Sequence, residues 1–469
     1  MAIPKIDIEK SKEAIQKAAG TVTEKVSEAA GTVSEKVSEA AGTVSEKVSE
    51  AAGTVSEKFS ETMDSMANDN GFNHPDEFRD GFMLHGPLAK EGYDWWWHSF
   101  TGRNVKTGEE KSFFIEFFTI NPELGGDEPV FGQLPGNKEA GIRPSYMMVK
   151  AGAWGEDAAQ LHRFFGWNHV TVKDEIPFMI SAEDCFCSET RTMGRIELSE
   201  IDVKNHPEYL SDAGKMFWDL QIDKKIAFNV GYGAAWALRE MEAFQMFWHA
   251  QGMKTAYSGT VVWNGEEYTV SPENCYGYAD KNWGSDFTSP WIWLSSNNMT
   301  SKLTGKRLEN SVIDIGGGRP KVGPFAIEGK LLSALWYEGQ PYEFNFSKFW
   351  TLTKTNFKVQ DKKERIVWRV EQETPMHMIK VEISCQKRDM LKIRYESPDG
   401  GFRHTNLWNG GTGEGTIQLY KKNISIKNKW EWELVDDIEV KNVGCEYGEY
   451  PKGTVEPEVP QELKDKFEK

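Results

Sequence analysis

Short apolar runs of strand length follow one another from about residue 76 to residue 450, with turn residues between them. FFIEFFTINP (113–122) and MIKVEISCQ (378–386) are two examples. Asn264-Gly265 lies between two such runs, a pattern typical of a two-residue β-hairpin, and Glu338-Gly339 lies in a similar place. Many short strands at this spacing predict an all-β fold made of sandwiches or barrels, because parallel α/β units would alternate strands with helices.

The β-rich part spans about 370 residues, which predicts two β domains in tandem. We place the domains at residues 71–285 and 286–450, with a polar tail at 451–469. Only the run GAAWALREMEAFQMF (233–247) favours a short helix within them.

The N-terminal segment, residues 1–70, has a different pattern. Residues 21–64 are four copies of an eleven-residue unit such as TVSEKVSEAAG. Eleven residues make three helical turns of about 3.67 residues, but the Gly in each full unit costs a helix about 1 kcal/mol relative to Ala. Three interpretations remain open for this amphipathic segment: a solvated and partly disordered stalk, a lipid-surface helix similar to the repeats of apolipoprotein-like and desiccation-related proteins, or a self-associating coiled coil.

Composition and charge narrow the partners and the compartment. The formal net charge of −17 argues against nucleic acid as a partner, since phosphate binding needs clustered Lys and Arg. The five cysteines do not form a disulfide framework and indicate a reducing compartment. No signal-peptide pattern and no apolar run of about eighteen residues occur, so we expect a cytoplasmic protein without a transmembrane helix. Residues 10–64 give it a candidate contact with a membrane or lipid surface.

Sequence motifs for the commonest enzyme chemistries are missing. IGGGRP (315–320) follows a β-type run and ends at a proline, so it predicts a turn or bulge instead of a phosphate-binding loop. The sequence contains no serine nucleophile elbow, and the nine histidines show no metal-ligand spacing. We therefore expect no metal and no cofactor.

The stretch GYADKNWGSDFTSPWIWL (277–294) holds the densest chemistry. Side chains alternate along a strand, so Tyr278, Asp280 and Asn282 should share one face and Lys281 and Trp283 the other. A carboxyl and an amide among aromatic rings could line a pocket that protonates an apolar substrate. Two alternatives stay open: a packed strand end, and a structural clamp in which Lys281 pairs with its neighbour Asp280.

A second aromatic stretch lies in YDWWWHSF (93–100) and the strand that follows it. Tyr93, Trp95 and Trp97 should share one face of this strand. Glu116 lies among phenylalanines in the next strand, where a carboxyl must be paired, face a pocket, or have its pKa raised by burial. Large aromatics at this density need a substantial core or a large apolar cavity.

YADKNWGSDFTSPWIWL resembles the signature of the tocopherol cyclase family, an acidic-Lys-Asn-Trp-Gly segment followed by a Trp-x-Trp run. Three further stretches resemble the same family in the same order: the aromatic strand pair at 91–123, the hairpin block at 247–284, and IDIGGGRP with the hairpin after it (313–346). The resemblance implies two lipocalin-like β domains with a ligand cavity at or near their interface, similar to carotenoid hydratases and some β-barrel pericyclases.

The family resemblance also implies an activity: closing a chromanol ring on a prenylated phenol or hydroquinone by protonating an alkene, without a redox cofactor. An acid that protonates an alkene must stay protonated until it meets substrate, and burial among aromatics achieves this. Asp280 is then the first candidate for the acid and Glu116 the second, and Asn282 could orient the phenol. The candidate substrate-binding residues are Trp95, Trp97, Tyr278, Lys281, Trp283, Trp291, Trp293 and His249.

Two other functions are compatible with the same sequence. A lipocalin-like cavity also holds apolar ligands without chemistry, so a non-catalytic carrier of an isoprenoid or other lipid is the main alternative. In a carrier, Asp280 and Glu116 should be salt-bridged and turned away from the cavity. A stress or surface protein dominated by the repeat is the third possibility.

Overall fold

The computed structural model describes residues 77–228, 244–319, 321–322, 325–326, 329–348, 351–401, 407–423 and 431–449. Residues 70–469 form one compact unit. The repeat at 10–64, the linker after it and the tail at 451–469 lie outside the described residues, so the interpretations of the repeat stay predictions. The division into domains at residue 285 also stays a prediction.

Antiparallel strands dominate the described part of the chain, in two large sheets. The strands of the first sheet are β1 (Tyr93–Asn104), β2 (Glu110–Ile120), β3 (Tyr146–Ala153), β4 (Ala159–Phe165), β5 (Val170–Lys173), β6 (Met179–Ala182), β7 (Cys185–Ser188), β8 (Arg191–Leu198), β9 (Gly214–Phe228), β10 (Met246–Trp263), β11 (Glu266–Val270) and β12 (Gly277–Gly284). The strands of the second sheet are β13 (Trp291–Ser296), β14 (Asn298–Ser301), β15 (Val312–Gly318), β18 (Lys330–Tyr337), β19 (Gln340–Asn345), β20 (Lys354–Asp361), β21 (Arg365–Glu373), β22 (His377–Gln386), β23 (Leu391–Ile393), β24 (Leu407–Asn423) and β25 (Glu431–Gly448).

The remaining elements are short. A two-stranded ribbon is formed by β16 (Lys321–Val322) and β17 (Phe325–Ala326). The described helices are α1 (Leu88–Glu91), α2 (Pro135–Glu139) and α3 (Glu200–Asn205), with 3₁₀ turns at Glu77–Asp80, Pro122–Leu124, Trp167–His169, Pro207–Tyr209 and Lys387–Asp389. The predicted all-β fold with barrel-like sheets is confirmed for the described residues.

The first sheet runs in the order β4-β3-β2-β1-β11-β10-β9-β8-β7-β6-β5. The last strand, β12, returns to pair with both β1 and β10. One face of the sheet encloses an apolar core that includes Trp96, Phe100 and Tyr257. Because β12 lies between two long strands, its whole length is buried.

The second sheet runs in the order β19-β18-β15-β13-β25-β24-β22-β21-β20. Its own core takes Ile292 and Leu294 from β13, whereas Trp291 and Trp293 of the same strand join a different cluster with residues of the first sheet. Alternation along β13 therefore sends its indoles towards the first sheet. The aromatic layer between the two sheets is called the interlayer below; Trp97, Phe114, Trp154, Trp248, Trp291 and Trp293 belong to it.

Both predicted hairpin turns are present. Asn264 and Gly265 join β10 to β11 with φ of 50° and 89°, and Glu338 and Gly339 join β18 to β19 with φ of 45° and 85°. These left-handed values are those of a type I′ turn, which suits the twist of paired strands.

Two local predictions were wrong. The glycines of IGGGRP do not form a turn: Gly316, Gly317 and Gly318 extend β15 and pair with β13. A Cβ on Gly316 would lie 2.5 Å from the Trp248 ring, so the missing side chain makes room for that indole. The helix expected at 233–247 is contradicted at its end, where Met246 and Phe247 begin β10; residues 233–243 lie outside the described part.

Candidate active site

Three neighbouring strands of the first sheet carry Glu116, Trp97 and Asp280 side by side. Trp97 of β1 is the register partner of Glu116 on β2 and of Asp280 on β12. Adjacent strands are separated by about 4.8 Å, so the two acidic residues stand about 10 Å apart along this row with the indole between them. The row continues to Lys150 on β3, the register partner of Glu116. The sheet thus presents two carboxyl groups and one amine to the interlayer.

The Asp280 carboxyl is held on one oxygen only. Its Oδ2 accepts hydrogen bonds from Trp248 Nε1 at 2.9 Å and from the Tyr278 hydroxyl at 3.0 Å. Both donors are neutral, and none of the described Lys, Arg or His side chains forms a salt bridge with Asp280. A carboxyl that is buried with neutral donors alone is more stable as the neutral acid.

Tyr278 joins Asp280 to a second carboxyl, that of Asp314 on β15. The Tyr278 hydroxyl lies 3.0 Å from Asp280 Oδ2 and 3.0 Å from Asp314 Oδ2, and Trp293 Nε1 donates to Asp314 Oδ1 at 3.1 Å. One hydroxyl has one proton and can donate to one of the two carboxyls at a time. The other contact is a hydrogen bond only if that carboxyl donates, so the trio needs at least one protonated acid.

The pKa values of the two carboxyls agree with this proton count. Burial raises the pKa of Asp280 to about 8, against the opposing hydrogen bonds from Tyr278 and Trp248. Burial, and then the charge of Asp280, raise the pKa of Asp314 well above its usual range. Both shifts favour the protonated form, in agreement with the proton that the trio requires.

Glu116 has a different environment. Its Oε2 accepts from Lys150 Nζ at 2.7 Å and from the Tyr395 hydroxyl at 3.1 Å, and neither side chain of the Glu116–Lys150 pair is exposed. Lys150 Nζ also lies 4.0 Å from the centre of the Tyr395 ring. Burial raises the pKa of Glu116 and lowers that of Lys150, and each partner's charge opposes the other's shift. The charge of Lys150 thus favours the ionised form of the Glu116 carboxyl. Asp280 has no such cation beside it among the described residues.

A fourth acid, the half-buried Glu446 on β25, belongs to the second sheet like Asp314. It accepts hydrogen bonds from Trp291 Nε1 at 2.7 Å and from Asn409 Nδ2 at 2.6 Å, and Asn409 in turn accepts from Trp154 Nε1 at 2.9 Å. Burial raises the pKa of Glu446. The chain of contacts fixes the indoles of Trp291 and Trp154, which form part of the interlayer.

Aromatic rings fill the space among these polar groups. Trp248 and Trp291 meet edge to face at 6.4 Å, and Trp97 stacks on Phe114 at 5.3 Å. Trp95 stacks on Tyr395 at 5.1 Å. Faces of indole and phenol rings attract a cation, so this layer can stabilise positive charge that develops in a bound substrate.

Three polar atoms along the row on β2, β1 and β12 have no hydrogen-bond partner among the described residues: Asp280 Oδ1, Trp97 Nε1 and Glu116 Oε1. Buried polar atoms are nearly always satisfied, and exceptions mark a strained, reactive or ligand-binding position. The three residues are register partners on adjacent strands, and Trp97 belongs to the interlayer. They are the natural contacts for a polar group of a bound ligand.

The interlayer is closed in this structure. A cavity of about 20 Å³ is lined by Trp95, Met246, Phe287, Thr288, Trp291, Tyr395, Leu407 and Glu446. Tyr395 also lines a second cavity of about 20 Å³, together with Phe118, Tyr146, Glu396 and their neighbours. Each has room for about one water molecule. A larger ligand must displace aromatic side chains to enter.

The structure separates the predicted site residues into two faces. Asp280, Glu116, Tyr278, Trp95, Trp97, Trp291 and Trp293 meet in or beside the interlayer. Asn282 lies on the same face, where its Oδ1 accepts from the Tyr93 hydroxyl at 2.8 Å.

Lys281, Trp283 and His249 are not brought to the Asp280 carboxyl. Lys281 pairs with Asp94 and lies 4.1 Å from the centre of the Trp96 ring, so it does not clamp Asp280. His249 Nε2 lies 3.2 Å from Asp80 Oδ1, and Trp283 stacks on Phe247. Strand alternation turns Lys281 and Trp283, at odd-numbered positions of β12, away from Asp280. His249 on β10 is the register partner of Lys281 and lies on the same face.

Sequence reasoning missed Asp314, Lys150, Tyr395, Glu446, Asn409 and Trp248. Asp314 and Lys150 had a usable signal, because each is one charged residue within an otherwise apolar strand, VIDIGGG and YMMVKAGA. Such a residue must be partnered or functional. The partners themselves come from strands distant in sequence.

The described part of the chain contains no group of three or more His, Cys, Asp or Glu side chains arranged to hold a metal ion. None of the helices in the described ranges has the length and apolar character needed to cross a membrane.

The family comparison agrees with the motif. A family model described as tocopherol cyclase-like matches residues 200–448, more than half of the chain. The matched range includes Asp280, Asp314 and Glu446, whereas Glu116 and Lys150 precede it. The resemblance predicted from the sequence is confirmed over this range.

Two solved structures align with most of this chain at low sequence identity. A protein described as AttH from Nitrosomonas europaea is 11% identical, with a TM-score of 0.38, over 77% of this chain and 98% of that one. Kievitone hydratase from Nectria haematococca is 11% identical, with a TM-score of 0.37, over 78% of this chain and 93% of that one. Among the curated proteins no match was found. The family match over residues 200–448 places the chain in the tocopherol cyclase-like family.

Proposed function

We propose that this protein is a cofactor-independent cyclase that closes a chromanol-type ring on a prenylated phenol or hydroquinone. The observation that carries the proposal is the state of Asp280: a buried carboxylic acid whose Oδ2 is fixed by two neutral donors and whose Oδ1 is unpaired among the described residues. Because Oδ2 accepts from both donors, the acid proton belongs on Oδ1. That proton faces an aromatic layer, where an alkene would replace the missing partner.

The same contacts suit the acid for giving its proton away. When Oδ1 loses its proton, the hydrogen bonds from Trp248 and Tyr278 stabilise the carboxylate that remains. Proton addition to a trisubstituted alkene leaves a tertiary cation, and the indoles of Trp97, Trp248 and Trp293 surround the place where it forms. A closed, dry layer keeps water from capturing the cation before the phenol oxygen does.

Asp314 and Tyr278 maintain the supply of protons. Asp314 is fully buried and carries a proton into its contact with Tyr278, which contacts Asp280 in turn. A carboxyl–phenol–carboxyl series of this kind can return a proton to Asp280 Oδ2 after Oδ1 has reacted. Asp314 and Tyr278 are therefore positioning and relay residues that act through Asp280.

The proposal is tested by incubating the purified protein with short-chain prenyl hydroquinones, without added metal or nucleotide. We expect a ring-closed product of unchanged mass. Asp280→Asn should lower kcat by about 10²- to 10⁴-fold, the usual contribution of a general acid, with little change in fold.

Glu396→Gln is the matched control for this substitution. Glu396 is also a buried carboxyl whose pKa burial raises to about 8, but it accepts from the Gln133 backbone and from Tyr146 beyond the Asp280 network. Its replacement should leave the ring-closing rate within about threefold of the wild type. A bound but unreacted isoprenoid, with binding unchanged in Asp280→Asn, would instead identify a carrier.

A further inference from the structure

Glu116, Lys150 and Tyr395 form a cluster that the acid chemistry of Asp280 does not use. Lys150 Nζ and the Tyr395 hydroxyl both contact Glu116 Oε2, so both donors lie on one oxygen. The other oxygen, Oε1, is buried and has no partner among the described residues. A carboxylate with one oxygen held and the other unpaired is ready to accept a hydrogen bond from a ligand.

The ligand must offer a hydroxyl or another neutral donor. Lys150 already balances the carboxylate, and its ammonium lies against the face of the Tyr395 ring. A second cation would leave this dry site with excess positive charge, and an anion would be repelled by the carboxylate. A phenolic hydroxyl meets both conditions, because it is neutral, donates one hydrogen bond and carries an aromatic ring suited to the surrounding indoles.

The position of Glu116 relative to Asp280 fits one substrate between them. Both residues are register partners of Trp97, on opposite sides of its strand, so they face the same layer about two strand spacings, roughly 10 Å, apart. Their surroundings differ in the way that separates an acid from a base: neutral donors around Asp280, an ammonium beside Glu116. Pairs of carboxyls with opposite environments take opposite roles in proton transfer.

We infer that Glu116, Lys150 and Tyr395 form the subsite for the phenolic hydroxyl, with Glu116 Oε1 as the base that accepts its proton. The inference rests on the function proposed above. The alkene π electrons form a C–H bond with the proton of Asp280 Oδ1, the phenol oxygen forms the C–O bond to the tertiary carbon, and the phenolic O–H bond breaks towards Glu116 Oε1. Substrate and product are isomers, and one proton has moved from Asp280 to Glu116. Exchange with water after product release restores both groups.

The test separates alkene protonation from ring closure by running the reaction in D₂O. For Glu116→Gln we expect ring closure to fall by about 100-fold, while deuterium still enters the alkene carbon of recovered substrate or of a tertiary alcohol. For Asp280→Asn both deuterium uptake and ring closure should fall. A purely structural role for Glu116 would lower both signals together.

Two controls keep the result interpretable. Glu116→Gln leaves Lys150 without its partner, so Glu116→Gln/Lys150→Met, which removes both charges, is measured alongside it. A substrate with the phenol O-methylated has no proton to give, and its deuterium uptake should change by less than about threefold between wild type and Glu116→Gln.

Ring closure at the wild-type rate in either Glu116 variant would overturn the inference and leave the role of Asp280 intact. Equal loss of deuterium uptake and ring closure in folded Glu116 variants would also overturn it. If the wild type neither takes up deuterium nor closes the ring, the proposed function fails, and the subsite assignment fails with it.

Discussion

The two faces of β12 treat buried carboxyl groups in opposite ways. The face of β12 that carries Lys281 is called the barrel-interior face. There Asp94 pairs with Lys281, and Asp80 contacts both Lys224 and His249. On the interlayer face, Asp280 and Asp314 accept from tryptophan and tyrosine side chains and form no salt bridge with a described residue. Adjacent residues of one strand, Asp280 and Lys281, therefore serve different purposes. A cation beside an acid makes a structural pair, and neutral donors around an acid preserve its proton.

The pKa values of the carboxyls differ between the two faces in the same sense as their partners do. Burial alone would raise the pKa of Asp80, but the Lys224 and His249 contacts bring it below its ordinary value. Burial raises the pKa of Asp94 only to about 6 because Lys281 opposes the rise. Without a cation, burial takes the pKa of Asp280 to about 8.

The largest effect on stability should come from the barrel-interior face. Lys281→Met removes the ammonium and leaves Asp94 buried without its charge partner, which should cost about 3 kcal/mol in the free energy of unfolding. Chemical denaturation measures the loss. Lys281→Met/Asp94→Asn should recover at least half of it, since no unpaired charge remains.

The corresponding change on the interlayer face should behave differently. Asp280→Asn replaces a neutral acid by a neutral amide, and it frees folding above about pH 4 from the need to keep this carboxyl protonated. We therefore expect a loss of unfolding free energy of less than about 1 kcal/mol beside the large loss of activity. A loss as large as that of Lys281→Met would mean that Asp280 is a structural group like Asp94.

An intermediate effect is expected at Gly316. A Cβ added there would approach the Trp248 ring to 2.5 Å, while the Trp248 nitrogen holds Asp280 Oδ2. Gly316→Ala should displace the indole, lower the ring-closing rate by about tenfold and cost about 1–3 kcal/mol of stability. Gly305→Ala, at a position with open space but with φ of 70°, controls for backbone strain alone. Unchanged kinetics in Gly316→Ala would show that the Trp248 hydrogen bond to Asp280 does not contribute to catalysis.

The pH dependence of stability should have opposite signs on the two faces. The raised pKa of Asp280 means that the folded state binds its proton more tightly, so this contribution is complete below about pH 4 and is lost as the pH rises through about 8. The lowered pKa of Asp80 stabilises the fold above about pH 4, and that contribution is lost as the pH falls further. Asp280→Asn should therefore flatten the decline of Tm between about pH 4 and 8 and leave the loss of stability below about pH 4 unchanged. If Asp280→Asn left this decline of Tm unaltered, the raised pKa assigned to Asp280 would be contradicted.

The sequence predicted the local part of this arrangement well. Alternation along GYADKNWG placed Asp280 with Tyr278 and turned Lys281 away, and Asn264-Gly265 predicted its hairpin. Alternation cannot say which face meets the barrel interior and which meets the second sheet. That choice depends on how β12 inserts between β1 and β10, a pairing of segments far apart in sequence.

The hydrogen-bond and charge partners of the buried acids could not be predicted from the sequence, because they also depend on contacts between distant segments. Lys150 reaches Glu116 only through the register of β2 with β3, and Tyr395 reaches it from the second sheet. The glycines of β15 were misread because they continue the strand, where Gly316 makes room for the Trp248 ring. Local patterns give faces and turns, while the charge environment of a buried acid is set by long-range pairing.

The proposed acid requires Asp280 to be a neutral carboxylic acid at neutral pH, and a titration of this carboxyl measures its protonation state. Infrared difference spectra between wild type and Asp280→Asn, recorded across a pH series, should show the C=O stretch of a protonated carboxyl that disappears with a midpoint at about pH 8. A carboxyl at Asp280 that is already ionised at about pH 5 would contradict the account, because it would leave no proton to give to an alkene.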